Sequence, residues 1–313
     1  MIALKSPQTL TKFPFKISPG ILYALIACLL LGTNAPIAKV LLQQIPAPVL
    51  VALLSVGACL GLIVVFGWQY YQQRKLEVKT AINFLQGKDW LWFLSTVFLG
   101  GIIAPILFIY GVDHSSAAAA SLMLSFEGVA TAAIAWIVFK EPFHWLLAVA
   151  IAIILAGTII LNSSGAMGLS NPLATAAILV SALCWATDNN LTRHISHRDP
   201  VLIALGKNLV AGVVNGAIAL SLGHSLPPVL WLLSACTLGV FSYGLSFTFL
   251  IMALRLLGSS RTGAYFSITP FIGASLSIML FRDTITPNFM VAALLIALGV
   301  SLCIYEQLKY TKN

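Results

Sequence analysis

Charged side chains are scarce in this sequence. Asp, Glu, Lys and Arg make up 8% of its 313 residues, against about a quarter in ordinary soluble domains. Acids are the rarer sign, nine against 17 Lys and Arg, and there are only five histidines. That supply of acids and bases argues against a soluble enzyme. A hydrophobic content of 59% and a mean hydropathy of +0.98 exclude a disordered chain. The net charge of +8 would suggest nucleic acid in a soluble protein. Here the basic residues sit in short segments between apolar runs, so a membrane is the partner and no nucleic acid is expected. Cysteine is sparse as well. Cys28, Cys59, Cys184, Cys236 and Cys303 each lie inside an apolar run, with no CxxC pair and no Cys/His spacing suited to zinc. They read as small packing residues, and neither metal nor cofactor is expected.

What the sequence has in abundance is long apolar runs. About 20 mostly apolar residues carry a helix across a bilayer. Ten such runs are present, at 17–42, 48–68, 90–111, 115–139, 143–161, 172–193, 200–222, 227–254, 259–281 and 287–305. The connections are short and leave no room for a water-soluble domain. A bilayer requires every backbone group to be satisfied internally, so the expected class is an all-α integral membrane bundle. Residues 1–16 and 307–313 form tails. The basic loop at 69–88, with scattered Leu, Val, Ile and Phe, suits a short interfacial helix on anionic lipid. The first run is longer than a cleaved signal's apolar core and is kept as a span.

Positive residues orient the bundle. With the N-terminus inside, the inner segments carry Lys5, Lys12, Lys16, Arg74, Lys75, Lys79, Lys88, Lys140, Arg193, Arg198, Arg255, Arg261, Lys309 and Lys312, and the outer loops only Arg282. Both termini are therefore expected in the cytoplasm and the protein in the plasma (inner) membrane. The sequence also repeats itself. At an offset of 142 positions Ser125 meets Ser267, Phe139 meets Phe281, Lys140-Glu141 meets Arg282-Asp283, Ile154 meets Ile296 and Gly157 meets Gly299. Near the N-terminus the offset grows to about 154, where Asn34 meets Asp188 and Lys39 meets Arg193. Two five-helix repeats, 17–162 and 163–306, follow. Five is odd, so they must be inverted relative to each other, an arrangement common in secondary transporters.

The stretches Gly32-Thr33-Asn34, Ala38-Lys39, Ser121 to Glu127 and Gly263 to Pro270 resemble the paired EamA domains of the drug/metabolite transporter superfamily. The resemblance covers residues 20–305. It implies an inner-membrane carrier that exports amino acids or related metabolites by alternating access, with a cavity lined by helices 1, 3, 4, 6, 8 and 9. One departure is visible. Where the family often has Glu-Pro in helix 4, this chain has Glu127-Gly128, which leaves a matching kink to Pro270 in helix 9 without an obvious cause.

Ionisable groups inside spans are costly and are taken as candidate sites. Glu127 falls near mid-membrane in helix 4 and could bind an amino group or a proton, making protons a candidate coupling ion. Lys207 lies too deep in helix 7 for a loop charge; a solute carboxylate or Glu127 is its expected partner. Asp188 and Asn189, with Asn190, form a polar run in helix 6, matched by Asn34 in helix 1. Trp185 could stack on a solute, and Tyr265 and Ser267 offer hydroxyls. Pro36, Pro105, Gly128 and Pro270 are the candidate kinks or gates, with Pro36 and Pro105 freeing carbonyls toward a cavity. Gly100 and Gly101 read as close packing. No nucleophile–base pair is found, so no enzyme is expected. A channel, a drug or quaternary-amine efflux carrier and, less favoured, a lipid enzyme remain as alternatives. Substrate and oligomeric state are left open.

Overall fold

The computed structural model describes residues 18–75, 84–140, 145–163, 171–282 and 285–310. The N-terminal tail, residues 311–313 of the C-terminal tail, residues 76–83 of the loop expected to hold the interfacial helix, and Glu141 and Asp283 of the charged turns lie outside the described residues; residues 69–75 of that loop continue the preceding helix. Every regular element among the described residues is helical. The elements are α1 (Pro19–Gly32), α2 (Asn34–Leu41), α3 (Ala47–Lys75), α4 (Asp89–Thr96), a π-helical stretch at Val97–Ile103, α5 (Ala104–Asp113), α6 (Ala117–Met123), α7 (Ser125–Ile137), α8 (Trp145–Ser163) and α9 (Pro172–Ile195). Then follow α10 (Pro200–Ser221), α11 (Val229–Gly239), a second π-helical stretch at Val240–Leu245, α12 (Ser246–Leu257), α13 (Ser259–Phe266), α14 (Thr269–Phe281) and α15 (Pro287–Tyr310).

Six helical stretches are long and apolar enough to cross a membrane: Pro19–Leu41, Ala47–Gln72, Asp89–Asp113, Ala117–Ile137, Pro200–Ser221 and Val229–Leu257. Ala148–Gly157, Thr269–Phe281 and Pro287–Leu302 are apolar but shorter. Helix α9 has the length, but its polar run lowers its hydropathy. Large apolar side chains such as Leu29, Val64, Phe98, Val213, Leu230 and Leu294 stand exposed on the outside, as a lipid-facing surface requires. The chain is thus a multi-pass helical membrane protein. Helix starts follow capping chemistry. Asn171 Oδ1 accepts from Leu173 N at 3.0 Å, and Asp199 Oδ1 from Val201 N at 2.9 Å. Each cap is followed by proline at a position where the missing N–H costs nothing.

Several expected spans are interrupted. Thr33 separates α1 from α2, and its hydroxyl donates to Leu30 O at 2.8 Å, a back-bond that bends helices. Pro36 lies three residues beyond the break. Pro105 follows the first π stretch and cannot donate to Gly101 O. That carbonyl accepts from Asn215 Nδ2 at 3.2 Å, and Gly100 O accepts from Trp185 Nε1 at 3.1 Å. The helix 3 carbonyls expected to face a cavity are therefore taken up by neighbouring helices. Helices 4 and 9 both break, at Leu124 and at Ser267–Ile268. The break in helix 4 needs no proline. Gly128, at the position of Pro270, instead allows close approach: a methyl there would lie 2.2 Å from Ser267 Oγ and 2.5 Å from Gly263 O.

These irregularities recur at the 142-residue offset. The two π stretches coincide to within a residue, and the breaks in helices 4 and 9 to within two. Lys140, just past the end of α7, and Arg282, the C-cap of α14, both take left-handed backbone, at φ 57° and 54°. Contacts are exchanged in the same register. A methyl on Gly157 would meet Ile296 Cγ1 at 2.8 Å and Ala292 O at 3.0 Å; one on Gly299 would meet Ile154 Cγ1 at 2.5 Å and Ala150 O at 2.9 Å. Such self-complementary contacts are what a two-fold relation produces. Overpacking this seam should cost about 1–3 kcal/mol. Gly157→Leu and Gly299→Leu are expected to lower the unfolding temperature in detergent by matching amounts, and clearly unequal losses would contradict the reciprocity.

Candidate functional site

Helix α9 places Trp185, Asp188, Asn189 and Thr192 at spacings of three and four, on one face. Helix α10 brings Lys207 in from its buried side, two turns past Pro200. Lys207 Nζ donates to Asp188 Oδ2. Thr192 Oγ1 donates to the other carboxylate oxygen at 3.0 Å. The side chains of Lys207 and Asp188 are 6% and 4% exposed, so the pair sits where ions are tolerated only with close partners. Lys207 Nζ also lies 5.3 Å from the Phe247 ring centre. The partner of Lys207 is thus Asp188, where a solute carboxylate or Glu127 had been expected.

Room for this pair comes from helix 3. A methyl on Gly100 would fall 2.0 Å from Asp188 Oδ2, and one on Gly101 would sit 3.2 Å from Ala211 Cβ and 3.7 Å from Lys207 Cγ. The glycine pair that reads as generic packing is the seat of the carboxylate.

Glu127 stands on α7 just past the helix 4 break, 5% exposed. Its Oε1 accepts from Asn189 Nδ2 at 3.0 Å. Asn189 is neutral, so the Glu127 carboxyl has no cation hydrogen-bonded to it among the described residues. Asn190 plays a different part from its neighbours: its Nδ2 donates to Thr131 O at 3.0 Å and Ala186 O at 2.9 Å, fastening α9 to α7.

Glu127, Asp188, Asn189 and Lys207 share one cavity with Trp185 and Thr192, closed by Leu31, Phe247, Leu250, Ile251 and Phe266. Trp185 and Leu31 divide it from a second space bordered by Asn34, Ser121, Thr269, Pro270, Phe108 and Gly273. The free volumes are about 20 and 10 Å³, room for roughly one water molecule each at most. In this conformation the site is shut.

Six of the eight expected binding residues border these spaces: Asn34, Glu127, Trp185, Asp188, Asn189 and Lys207. Tyr265 and Ser267 border neither. Tyr265 packs against Ala24 and Ala253, and Ser267 Oγ donates to Gly263 O at 3.1 Å. Thr192 was legible as the residue one turn beyond Asp188. Phe247, Leu250, Ile251 and Phe266 carry no signal, because apolar residues in an apolar helix look alike. Helix 7 enters the lining beyond the expected set. Among the described residues no cluster of His, Cys, Asp and Glu suits a metal ion.

Comparison with known proteins agrees with this architecture. The sequence profile of the EamA-like transporter family matches residues 18–163 and 173–305. An "Uncharacterized transporter" of Methanothermobacter thermautotrophicus is 30% identical over 222 residues, 69% of this chain and 65% of that protein. Protein PecM of Dickeya dadantii is 33% identical over 121 residues, 38% of this chain and 39% of its own. The matches thus span less than two thirds of either relative. A protein of known crystal structure superposes with a TM-score of 0.70 at 17% identity, covering 91% of this chain and 95% of that one; that likeness concerns the fold.

Removing one member of a buried ion pair leaves the other uncompensated, at about 3–5 kcal/mol. Asp188→Asn and Lys207→Met should each lower the unfolding temperature sharply, and the double variant should recover most of the loss. Gly100→Ala should behave like Asp188→Asn, since its methyl displaces the carboxylate. A double variant as unstable as the summed singles would refute the pairing.

Proposed function

The chain belongs to the EamA-like transporter family, and from that premise we propose that it is a secondary carrier exporting a small zwitterionic solute, an amino acid or related metabolite, across the plasma membrane. The observation that carries this reading is the buried anion–cation pair, Asp188 with Lys207, bordering a cavity together with Glu127. An ammonium and a carboxylate on one small solute complement such a pair and can take the place of each charge's protein partner. Trp185 and Phe247 supply apolar walls. A sugar phosphate would want several basic groups, and the cavity has one.

Alternating access between two inverted repeats, 17–162 and 163–306, completes the proposal. Ten spans with both termini cytoplasmic follow from the run lengths and the positive-residue asymmetry. The exchanged contacts of Gly157 and Gly299 support the two-fold relation. Polar clasps stand at opposite ends of the bundle in this orientation. At the outer end Lys39 Nζ donates to Val112 O at 2.8 Å and Asp113 O at 2.6 Å. At the inner end Arg255 donates to Ser196 O and Arg198 O, and Arg198 pairs with Asp89 at 2.8 Å. Both are closed around a shut cavity. Opening them in turn, with bending at the helix breaks around Pro36, Pro105, Gly128 and Pro270, would expose the site to one side and then the other.

Glu127 supplies the coupling in this scheme. Two carboxylates and one ammonium share the cavity, and an uncompensated buried charge is costly. A zwitterion brings no net charge, so the balancing positive charge is a proton on Glu127, taken up from one side and released to the other as the cavity reopens.

Counterflow in proteoliposomes preloaded with a pool of amino acids and related metabolites tests the carrier. Saturable exchange is expected from the wild type and none from Asp188→Asn/Lys207→Met, which keeps the fold without the charges. Exchange of quaternary amines alone would transfer the reading to drug efflux, and unsaturable flux to a channel. Glu127→Gln should flatten the pH dependence of net transport; an unchanged pH profile would exclude Glu127 as the proton carrier.

A further inference from the structure

The second space, beyond Trp185, has a chemistry of its own. It contains no charged side chain; its polar groups are Asn34, Ser121 and Thr269. Ser121 Oγ already donates to Ala117 O at 2.7 Å. Asn34 is different. It is 2% exposed, and neither its Nδ2 nor its Oδ1 has a hydrogen-bond partner. The Thr269 hydroxyl, 4% exposed, makes no well-formed hydrogen bond either and has only the weakly bonding Cys28 thiol beside it. Only the Tyr243 hydroxyl, itself unpartnered, lies beside Asn34, and one hydroxyl cannot satisfy both ends of an amide.

A buried amide with donor and acceptor both unused is destabilising, and an apolar residue of the same shape would remove that cost. The arrangement is explained if the missing partner is a ligand. Residues at or beside three helix breaks line the same space: Gly32 and Asn34 on either side of Thr33, Leu124 between α6 and α7, and Thr269 just past Ser267–Ile268. Irregular backbone of this kind sits beside solute sites in carriers.

We infer that the space around Asn34 and Thr269 is a second subsite, which receives a neutral hydrogen-bonding group of the solute, a carboxamide or hydroxyl, while the charged head lies beyond Trp185 against Asp188 and Lys207. The inference rests on the zwitterion reading above and narrows it to solutes whose side chain is uncharged and polar. Trp185 borders both spaces and donates to Gly100 O, so its ring is held as the partition that the two ends of the solute straddle. The subsite opens with the main cavity, since neither has room for a solute in the closed form.

Isosteric ligand pairs test this, because a site built to bond a polar group rejects the analogue that lacks it. Binding to purified protein is read by ligand-dependent thermal unfolding, with L-threonine against L-valine and L-asparagine against L-leucine. The wild type should favour the polar member of each pair by about ten- to a hundredfold. Asn34→Leu should erase that preference and still bind the apolar members. It should also raise the unfolding temperature of the unliganded protein, which loss of a structural amide would not do. Thr269→Val, a smaller change, should weaken the preference in part. Equal affinities within each pair in the wild type, a preference that survives Asn34→Leu, or no binding of any of the four overturns the subsite. Liposome exchange is scored separately: preference without exchange sustains the subsite and removes the carrier reading.

Discussion

A lysine and an aspartate buried against each other between α9 and α10 impose conditions on everything around them. Neither charge is tolerable there alone, so the carboxylate takes both Lys207 and Thr192. The carboxylate needs space, and only glycine at position 100 leaves it. A helix carrying two successive glycines is weak, and this one relaxes into a π-helical stretch that leaves a carbonyl for the Trp185 indole. Pro105 strips a further carbonyl, which Asn215 of α10 takes up. The backbone irregularity of helix 3 and the polar side chains of helices 6 and 7 are thus one connected arrangement.

The same logic separates scaffold from site among the buried polar groups. Asn190 and Asn215 reach backbone carbonyls on other helices. In a membrane bundle such bonds add to close packing of small residues in holding helices together. Glu127 and Asn34 are different. The first meets only a neutral amide, and the second makes no well-formed hydrogen bond, with only the Tyr243 hydroxyl beside it. A carboxyl without a cation and an amide unused at both ends are larger expenses than the single unpaired oxygens of Asn190 and Asn215, and Glu127 and Asn34 border the adjoining spaces.

Helices 4 and 9 cross with Gly128 against Gly263 and Ser267, and α8 meets α15 through Gly157 and Gly299. The polar groups differ at matching positions of the sequence: Asn34 stands in the register of Asp188, and Glu127 in that of Thr269. Similar backbones carry different side chains, so the two compartments differ in charge although their frames correspond.

Composition and run length were enough to specify a multi-pass helical membrane chain, because a bilayer admits few alternatives. Spacing at 142 residues foreshadowed the matched breaks and the φ values of Lys140 and Arg282, since a repeated fold reuses its irregularities. The polar run of α9, Glu127 and Lys207 stood out in the sequence because charge inside an apolar run is conspicuous, and the structure gathers them around one space. The partner of Lys207 was not legible, because 19 positions of sequence do not reveal which carboxylate an ammonium will meet across two helices. Nor was the role of Gly100, whose absent side chain has meaning only once Asp188 is placed beside it. Tyr265 and Ser267 looked like cavity hydroxyls, yet rotation of α13 directs them to Ala24, Ala253 and Gly263. Sequence determines which residues are costly to bury; the packing of helices decides which of them meet, and which are left for a ligand to satisfy.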